Sequence, residues 1–395
     1  MMHWLRRFLD NIAPHFEDGG KLKKLEPIFE ATDTILYTTD ERTKSGPHIR
    51  DSVDIKRVMI LVVISLLPCY VFGALNVGYQ YALTFSINTT WIDNLIKGAS
   101  IIVPIIAVTF ISGAFWEVLF AVVRRHPISE GFLVTCALIP LTLPPSIPLW
   151  QVAVATSFGI VIGKEIFGGV GMNIFNPALT ARAFLYFTYP AQISGDKVWA
   201  IAPDGFSGAT ALSIPAGQIN VNAVNLLNDA TSFTVFDYTW MNMFMGWIPG
   251  SIGETNKWLI IVSAFFLILI GITSWRVMIA SVMGMLITAF IMNVLAKYST
   301  NAMFTIPPHY HLVMGSFLFG TVFMATEPVT GAHTNIGRWI YGFFIGSLTV
   351  IIRSINPAYP EGIMLAILLM NAFAPLIDYF VVQSNIKKRM VRYAQ

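Results

Sequence analysis

Charge is scarce in this sequence. Only 12% of the 395 residues are charged, against 55% hydrophobic, and soluble domains carry roughly twice that charged share. That shortage excludes a water-facing globular enzyme for most of the chain. Cysteine is scarcer still. Cys69 and Cys136 both sit in apolar runs, too few for a four-thiolate iron–sulfur cluster and placed like small core residues. Residues 1–57 contain no apolar run, so no secretory leader is expected there. The glycines of Gly168–Gly171 lack a strand before them, which excludes a dinucleotide loop and leaves close helix approach as their use.

What the chain has in quantity is apolar runs of membrane-crossing length, about 20 residues for a hydrocarbon core about 30 Å thick. Ten membrane elements are expected: Val58–Leu75, Ala99–Val123, Gly131–Leu143, Leu149–Gly163 and Asn176–Tyr189, then Lys257–Thr273, Arg276–Ala296, Leu312–Thr326, Trp339–Ile352 and Gly362–Val382. The expected fold class is therefore an all-α polytopic membrane protein. Gly131–Leu143, Asn176–Tyr189 and Leu312–Thr326 are short and interrupted by Pro or Gly, as half-helices are. Basic residues set the orientation. They crowd the opening from Arg6 to Arg57, recur at Arg124, Arg125, Lys164 and Arg276, and return in Lys387–Arg392. With ten crossings all these positions fall on one side, which is then cytoplasmic together with both termini. The loop 191–256 faces outward and carries Asp196, Asp204, Asp229, Asp237 and Glu254 against the single base Lys197.

The two halves resemble each other. Glu130-Gly131 opens a short run ending at Leu143–Pro145, a span follows, and Asn176-Pro177-Ala178 opens another run; Leu312–Thr326 ends in Glu327–Gly331, a span follows, and Asn356-Pro357-Ala358 precedes the last run. Five elements per half is odd, so the halves enter the membrane from opposite sides as an inverted repeat, an arrangement whose sites form where the halves meet. The expected organisation is a cytoplasmic extension (1–57) with an amphipathic stretch at Trp4–Phe16, a first repeat (58–190), the outward loop (191–256), a second repeat (257–382) and a cytoplasmic tail (383–395).

Charges inside spans need a partner, a cavity or a role. Glu117, Glu327 and Asp378 fall within or at the ends of expected spans, and Arg182 sits in the run after Asn176-Pro177. Carboxylates beside broken helices are oxygen ligands for a hard cation such as Na⁺; equally, each acid serves as half of an interhelical ion pair or reaches the headgroups. Arg182 neutralises either an anionic ligand or a carboxylate. His309 and His311 flank Tyr310 without a third ligand in view, which suits an interfacial loop better than a metal site. In the outward loop the string Asp204-Gly205-Phe206-Ser207-Gly208-Ala209-Thr210-Ala211-Leu212-Ser213 sets three hydroxyls among small residues. It reads as a Ser/Gly turn, or as a hydroxyl that a second enzyme can esterify.

This string resembles the flavinylation site of the large membrane subunits of the Na⁺-translocating NADH:quinone reductases (Nqr) and the related Rnf complexes. In those families a flavin transferase joins FMN through its phosphate to the Thr of S-G-A-T. Pro140–Gln151, Gly163–Phe167, Gly168–Phe187 and Tyr189–Gly195 are also similar to the Nqr B-subunit family, and the likeness runs through nearly the whole chain. The D-subunit family of Rnf has the same site, and the polar N-terminal extension favours Nqr. The resemblance implies covalent FMN on Thr210, with Ser207, Gly208, Ala209 and Asp204 completing the motif, and Arg182 is the cation to face a flavin phosphate or reduced ring. It further implies non-covalent riboflavin near the cytoplasmic side, ubiquinone as electron acceptor, Na⁺ passage past Glu117, Glu327 and Asp378, and helices arranged as in urea transporters. The implied assembly is a six-subunit NADH:ubiquinone reductase of the bacterial inner membrane, with partner subunits A, C, D, E and F and no nucleic acid. The competing reading, a solute channel or transporter without flavin, leaves the S-G-A-T string unexplained.

Overall fold

The computed structural model describes residues 3–16, 22–23, 26, 29, 45–47, 55–124, 128, 131–203 and 205–394. Most of the N-terminal extension lies outside these residues, as do Asp204, Arg125 and Glu130. A helix does form at α1 (His3–Ile12), with Phe8 55% exposed and Leu9 buried.

Nine of the ten expected elements each overlap one α-helix. In chain order these are α2 (Ile55–Thr84), α3 (Trp91–Arg124), α4 (Gly131–Leu141), α5 (Leu149–Val161) and α6 (Pro177–Thr188). After α7 (Ala223–Phe233) and α8 (Trp240–Met245) come α9 (Lys257–Leu269), α10 (Trp275–Leu295), α11 (Asn335–Ile355) and α12 (Ile363–Ala394). Six helices are long and apolar enough to cross a bilayer, those over Arg57–Thr84, Trp91–Arg124, Leu149–Phe167, Trp275–Tyr298, Asn335–Ile355 and Ile363–Arg392. The eighth expected element is no single helix. It divides into Tyr310–Val313, Phe317–Phe319 and a π-helical turn Gly320–Met324.

Several helices outrun the apolar signal, α12 running through the expected tail to Ala394, and for α2 and α3 the reason is visible. α2 continues past Leu75 because its polar residues find partners inside the protein. Asn76 donates to the Ile248 carbonyl at 3.1 Å and Gln80 donates to Asn76 Oδ1 at 3.1 Å. α3 begins well before Ala99 because Thr90 and Asp93 cap its first turn, the Asp93 carboxylate accepting from the Thr90 N–H at 3.0 Å and the Thr90 hydroxyl at 2.8 Å.

Part of the packing recurs in the second half, although α2 packs on α3 with no comparable counterpart between α9 and α10 among the described residues. α3 packs on α5 as α10 packs on α11; α5 packs on α6 as α11 packs on α12; α4 meets α6 as the π-helical turn meets α12. Across the halves, α2 meets α9 and α6 meets α12. The joint between α10 and α11 is backbone to backbone. A Cβ on Gly346 would lie 1.9 Å from the Ser281 carbonyl oxygen, and one on Gly284 would lie 2.1 Å from that of Phe343.

The long loop between the halves is a packed unit. Its buried residues Leu212, Leu227, Phe236, Tyr238 and Met243 share an apolar core with Met303, Ile306, Val313 and Met314. Asn220 N–H donates to the Thr300 carbonyl at 2.7 Å, and Ala302 N–H donates to that of Gln218 at 3.0 Å. Arg353, fully buried, joins the broken eighth element to the end of α11. Its Nη1 donates to the His311 carbonyl (2.9 Å), its Nη2 to that of Met314 (3.0 Å), and its Nε to that of Glu361 (3.0 Å). Gly315 is required there, because its φ is +63° and a Cβ would strike Glu361 and Leu212 at 2.6 Å.

Gly346→Leu is expected to separate α10 from α11, at about 3 kcal/mol or more because backbone rather than a side chain must move. Size-exclusion profiles and thermal unfolding in detergent should show loss of the monodisperse folded species.

Candidate functional site

One short helix organises the candidate sites. Asn176 starts α6 by accepting the Leu179 N–H at 3.1 Å, and Pro177 follows at the position where a missing N–H costs nothing. The beginning of α6 lines one cavity and its later turns line another.

The first cavity, about 810 Å³, lies between the halves. Its walls are mostly apolar, from Val134 and Leu138 on one side to Leu267, Val322 and Phe323 on the other, with Thr135, Lys164, Asn173, Asn176 and Glu327 as polar groups. Glu327 accepts from the Thr330 hydroxyl at 2.8 Å, and the Asn173 and Asn176 side chains lie near its carboxylate. An apolar slot with a few convergent polar groups suits a flat heteroaromatic ligand.

The second cavity, about 680 Å³, is lined by Arg182, Tyr186, Trp199, Thr210, Tyr359 and Glu361 among others. Tyr186 donates to the Ala358 carbonyl at 2.9 Å, and its ring meets that of Tyr359 at 4.5 Å. These contacts close the cavity between α6 and the turn after Asn356-Pro357. Arg182 is only 5% exposed. Among the described residues it makes no hydrogen bond or ion pair, although Glu361 lies within Coulombic range. A buried guanidinium with unused donors in a cavity is a place for an anion.

The S-G-A-T string is held in place from three sides. Gly208 N–H donates to the Asp196 carbonyl at 2.7 Å, and a Cβ on Gly208 would crowd Ala200 at 3.2 Å. Ser207 Oγ donates to the Asp196 carboxylate at 3.0 Å. Tyr238 donates its phenol to the Ala209 carbonyl at 2.6 Å, and burial raises the pKa of that phenol. Ala211 and Leu212 are buried and anchor the turn in the loop core. Thr210 is itself 7% exposed and accepts the Ser213 N–H at its hydroxyl, 3.3 Å away. Asp204 lies outside the described residues.

Thr210 and Arg182 therefore line one cavity, with Ser207, Gly208 and Ala209 behind it. The three acids stay apart. Glu117 is 2% exposed and its carboxylate accepts a short bond from Lys164 Nζ. Lys164 also meets Glu165 at 3.3 Å, and Glu165 pairs with Arg124 at 3.2 Å. Asp378 accepts the His333 and Thr334 N–H groups at 2.7 and 3.0 Å and the Thr334 hydroxyl at 2.5 Å. Thr334 in turn caps α11 at Gly337 N–H, 3.0 Å. Glu327 is the acid that lines a cavity. Among the described residues no three His, Cys, Asp or Glu side chains converge as a metal site, and buried His311 stands against Arg353, its Nδ1 3.4 Å from Nη1.

Several site residues escaped the sequence reading. Lys164 was legible as a span-end cation, but Glu165 beside it gave no sign that the two formed a buried network with Glu117. Glu361 and Tyr359 follow the second Asn-Pro-Ala, the one signal that could have drawn attention to them.

Glu117→Ala should destabilise the protein by up to about 3–5 kcal/mol, because it leaves Lys164 buried with only part of its compensation. Glu117→Gln combined with Lys164→Met should recover much of that loss. Thermal unfolding in detergent, followed by tryptophan fluorescence, measures both.

The comparisons with known proteins agree with one another. The chain is 48% identical to the B subunit of the Na(+)-translocating NADH-quinone reductase of Ectopseudomonas mendocina (strain ymp), over 98% of this chain and 99% of the relative. The protein of the same name from Yersinia pestis is 47% identical over 98% and 99%, and that from Chromohalobacter salexigens is 48% identical over 99% and 97%. The model of the NQR2, RnfD, RnfE family matches residues 42–387, and the chain belongs to that family.

Proposed function

We propose that this chain is the membrane subunit of a sodium-pumping NADH:quinone reductase that carries FMN on Thr210 and passes electrons through riboflavin toward ubiquinone. One observation carries the flavin part of the reading: the Thr210 hydroxyl and buried Arg182, which makes no hydrogen bond or ion pair among the described residues, line the same cavity. A phosphodiester on Thr210 would bring one negative charge, shared by two oxygens, to that cavity, and Arg182 would be the cation in its lining to face the phosphate or the ring. Trp199, Tyr186 and Tyr359 supply aromatic walls. FMN, when bound, supplies one- and two-electron transfer. The residues present fit it: a hydroxyl to esterify and a buried cation that, among the described residues, makes no hydrogen bond or ion pair, lining one cavity.

Riboflavin lacks a phosphate, so its site needs no free cation. The first cavity fits that difference, since its one lysine is already engaged by Glu117 and Glu165 and its amides and hydroxyl suit a neutral polar ring. From Asn176 to Arg182 is six residues, about 9 Å along α6 at 1.5 Å per residue. The two cavities are thus close enough for α6 to be the wall that both flavins share.

For Na⁺ we favour Glu327, which faces a cavity with Thr and Asn oxygens nearby; the partners of Glu117 and Asp378 account for their charges structurally. In this reading the ten elements form two inverted repeats, Thr210 lies on the outer side of the bacterial inner membrane and both termini lie inside. The wider assembly has subunits A, C, D, E and F, and a flavin transferase matures Thr210. Full-length similarity to the Nqr B-subunit relatives, extension included, supports Nqr over an Rnf-type complex.

In-gel flavin fluorescence after full denaturation tests the covalent bond. The wild-type band, co-expressed with the transferase, should fluoresce and the Thr210→Ala band should be dark. A dark wild-type band beside an active control substrate would return the chain to the transporter reading. Arg182→Met should keep the covalent flavin while lowering its reduction potential, since a cation that favours the reduced, more negative ring has gone; spectroelectrochemical titration reads the shift. Asn173→Leu should lower the amount of flavin released from the protein by denaturant, leaving the in-gel band unchanged.

A further inference from the structure

A third cavity, about 800 Å³, lies between the end of α9 and the starts of α10 and α11, lined by Thr273, Ser274, Arg276, Glu327 and Arg338 among others. Nothing in the flavin reading uses it. Among the described residues Arg276 has no hydrogen bond or ion pair, only the face of Trp275, 4.9 Å away. Arg338 donates Nε to the Ala332 carbonyl at 3.3 Å and makes no other side-chain bond among the described residues. The single carboxylate of the lining, Glu327, is engaged by Thr330 and shared with the first cavity. Two guanidinium groups thus face one acid that already has donors.

The backbone adds to this. Ser274 stands at the N-cap of the 21-residue α10 without capping it. The N–H groups of Trp275 and Arg276 have no acceptor among the described residues, and the hydroxyl oxygens of Thr273 and Ser274 are buried without partners. A long helix that starts without a side-chain cap, in one cavity lining with Arg276 and Arg338, offers several donors to a tetrahedral oxyanion.

Its depth is marked by aromatics. Trp275, 42% exposed, meets Trp339 edge-on at 5.8 Å, and tryptophans collect at the headgroup level of a bilayer. Leu269, at the end of α9, is 84% exposed and offers apolar surface for an acyl chain. We infer that this cavity binds a phosphate oxyanion on Arg276, Arg338 and the N-terminus of α10, supplied by the headgroup of an anionic phospholipid or by free phosphate.

The test uses the full chain, purified with the subunits that accompany it and stripped of lipid in neutral detergent. Phosphatidylglycerol, phosphatidylcholine and inorganic phosphate are titrated separately, with native mass spectrometry counting bound lipid and thermal unfolding as the second readout. The expected result is saturable retention of phosphatidylglycerol over phosphatidylcholine, with a raised melting temperature. Arg276→Gln and Arg338→Gln should each need at least tenfold more lipid for the same effect, and Arg276→Lys should retain part of it. Inorganic phosphate that raises the melting temperature and competes with the lipid identifies a free-anion site of the same chemistry. Should the Gln variants fail to fold, the wild-type comparison of the three ligands still decides. No saturable response to either phosphate source, or an equal response in folded Gln variants, overturns the proposal.

Discussion

Main-chain N–H and C=O groups cannot go unpaired in hydrocarbon, where each unsatisfied group costs several kcal/mol, and the architecture follows from that constraint. A helix end inside the protein is satisfied when a side chain meets it. Asn176 does so for α6, Thr334 for α11 and Asn256 for α9, the last accepting the Leu259 N–H at 2.9 Å. Where the eighth element breaks at Gly315, Glu361 accepts the Ser316 N–H and hydroxyl at 3.2 and 3.0 Å. The irregular backbone lies where protein covers it, and the same broken ends supply the polar groups of the cavities. Caps and cavities are therefore two uses of one device.

The same logic sorts the charges. Glu117, Lys164, Glu165 and Arg124 form a closed network at one end of the bundle, and Asp378 is taken up by the start of α11. What remains incompletely paired is informative by contrast: Arg182 in the cavity with Thr210, and Arg276 with Arg338 near the tryptophans. Arg182 is buried, and a buried charge is costly unless something meets it; Arg276 and Arg338 are only partly buried.

Much of this was legible in the sequence, and the limits have physical causes. Apolar runs located the membrane helices because lipid imposes length and composition together. The S-G-A-T string and Arg182 could be picked out singly, but their meeting in one cavity depends on how α6 packs against the turn at 356–362, which no local pattern encodes. Asn76 and Gln80 looked like the end of a span because their partners lie inside the protein rather than in water. The loop holding Thr210 read as a turn because its core draws on Met303, Ile306 and Met314, far downstream in the chain. The interruption of the eighth run was legible from its length and glycines, but the bonds that replace its helix, from Arg353 and Glu361, were not.

Arg353 also bears on how the chain is made. Its guanidinium joins carbonyls at His311, Met314 and Glu361, so one of its acceptors is synthesised after it. The broken segment is made before α11, so its carbonyls at His311 and Met314 gain this partner only once α11 has been made. The arginine then lacks its last partner until the turn before α12 leaves the ribosome. The second half is therefore completed from its carboxyl end, and the loop that holds Thr210, whose core rests on Val313 and Met314, gains its final support late in biogenesis.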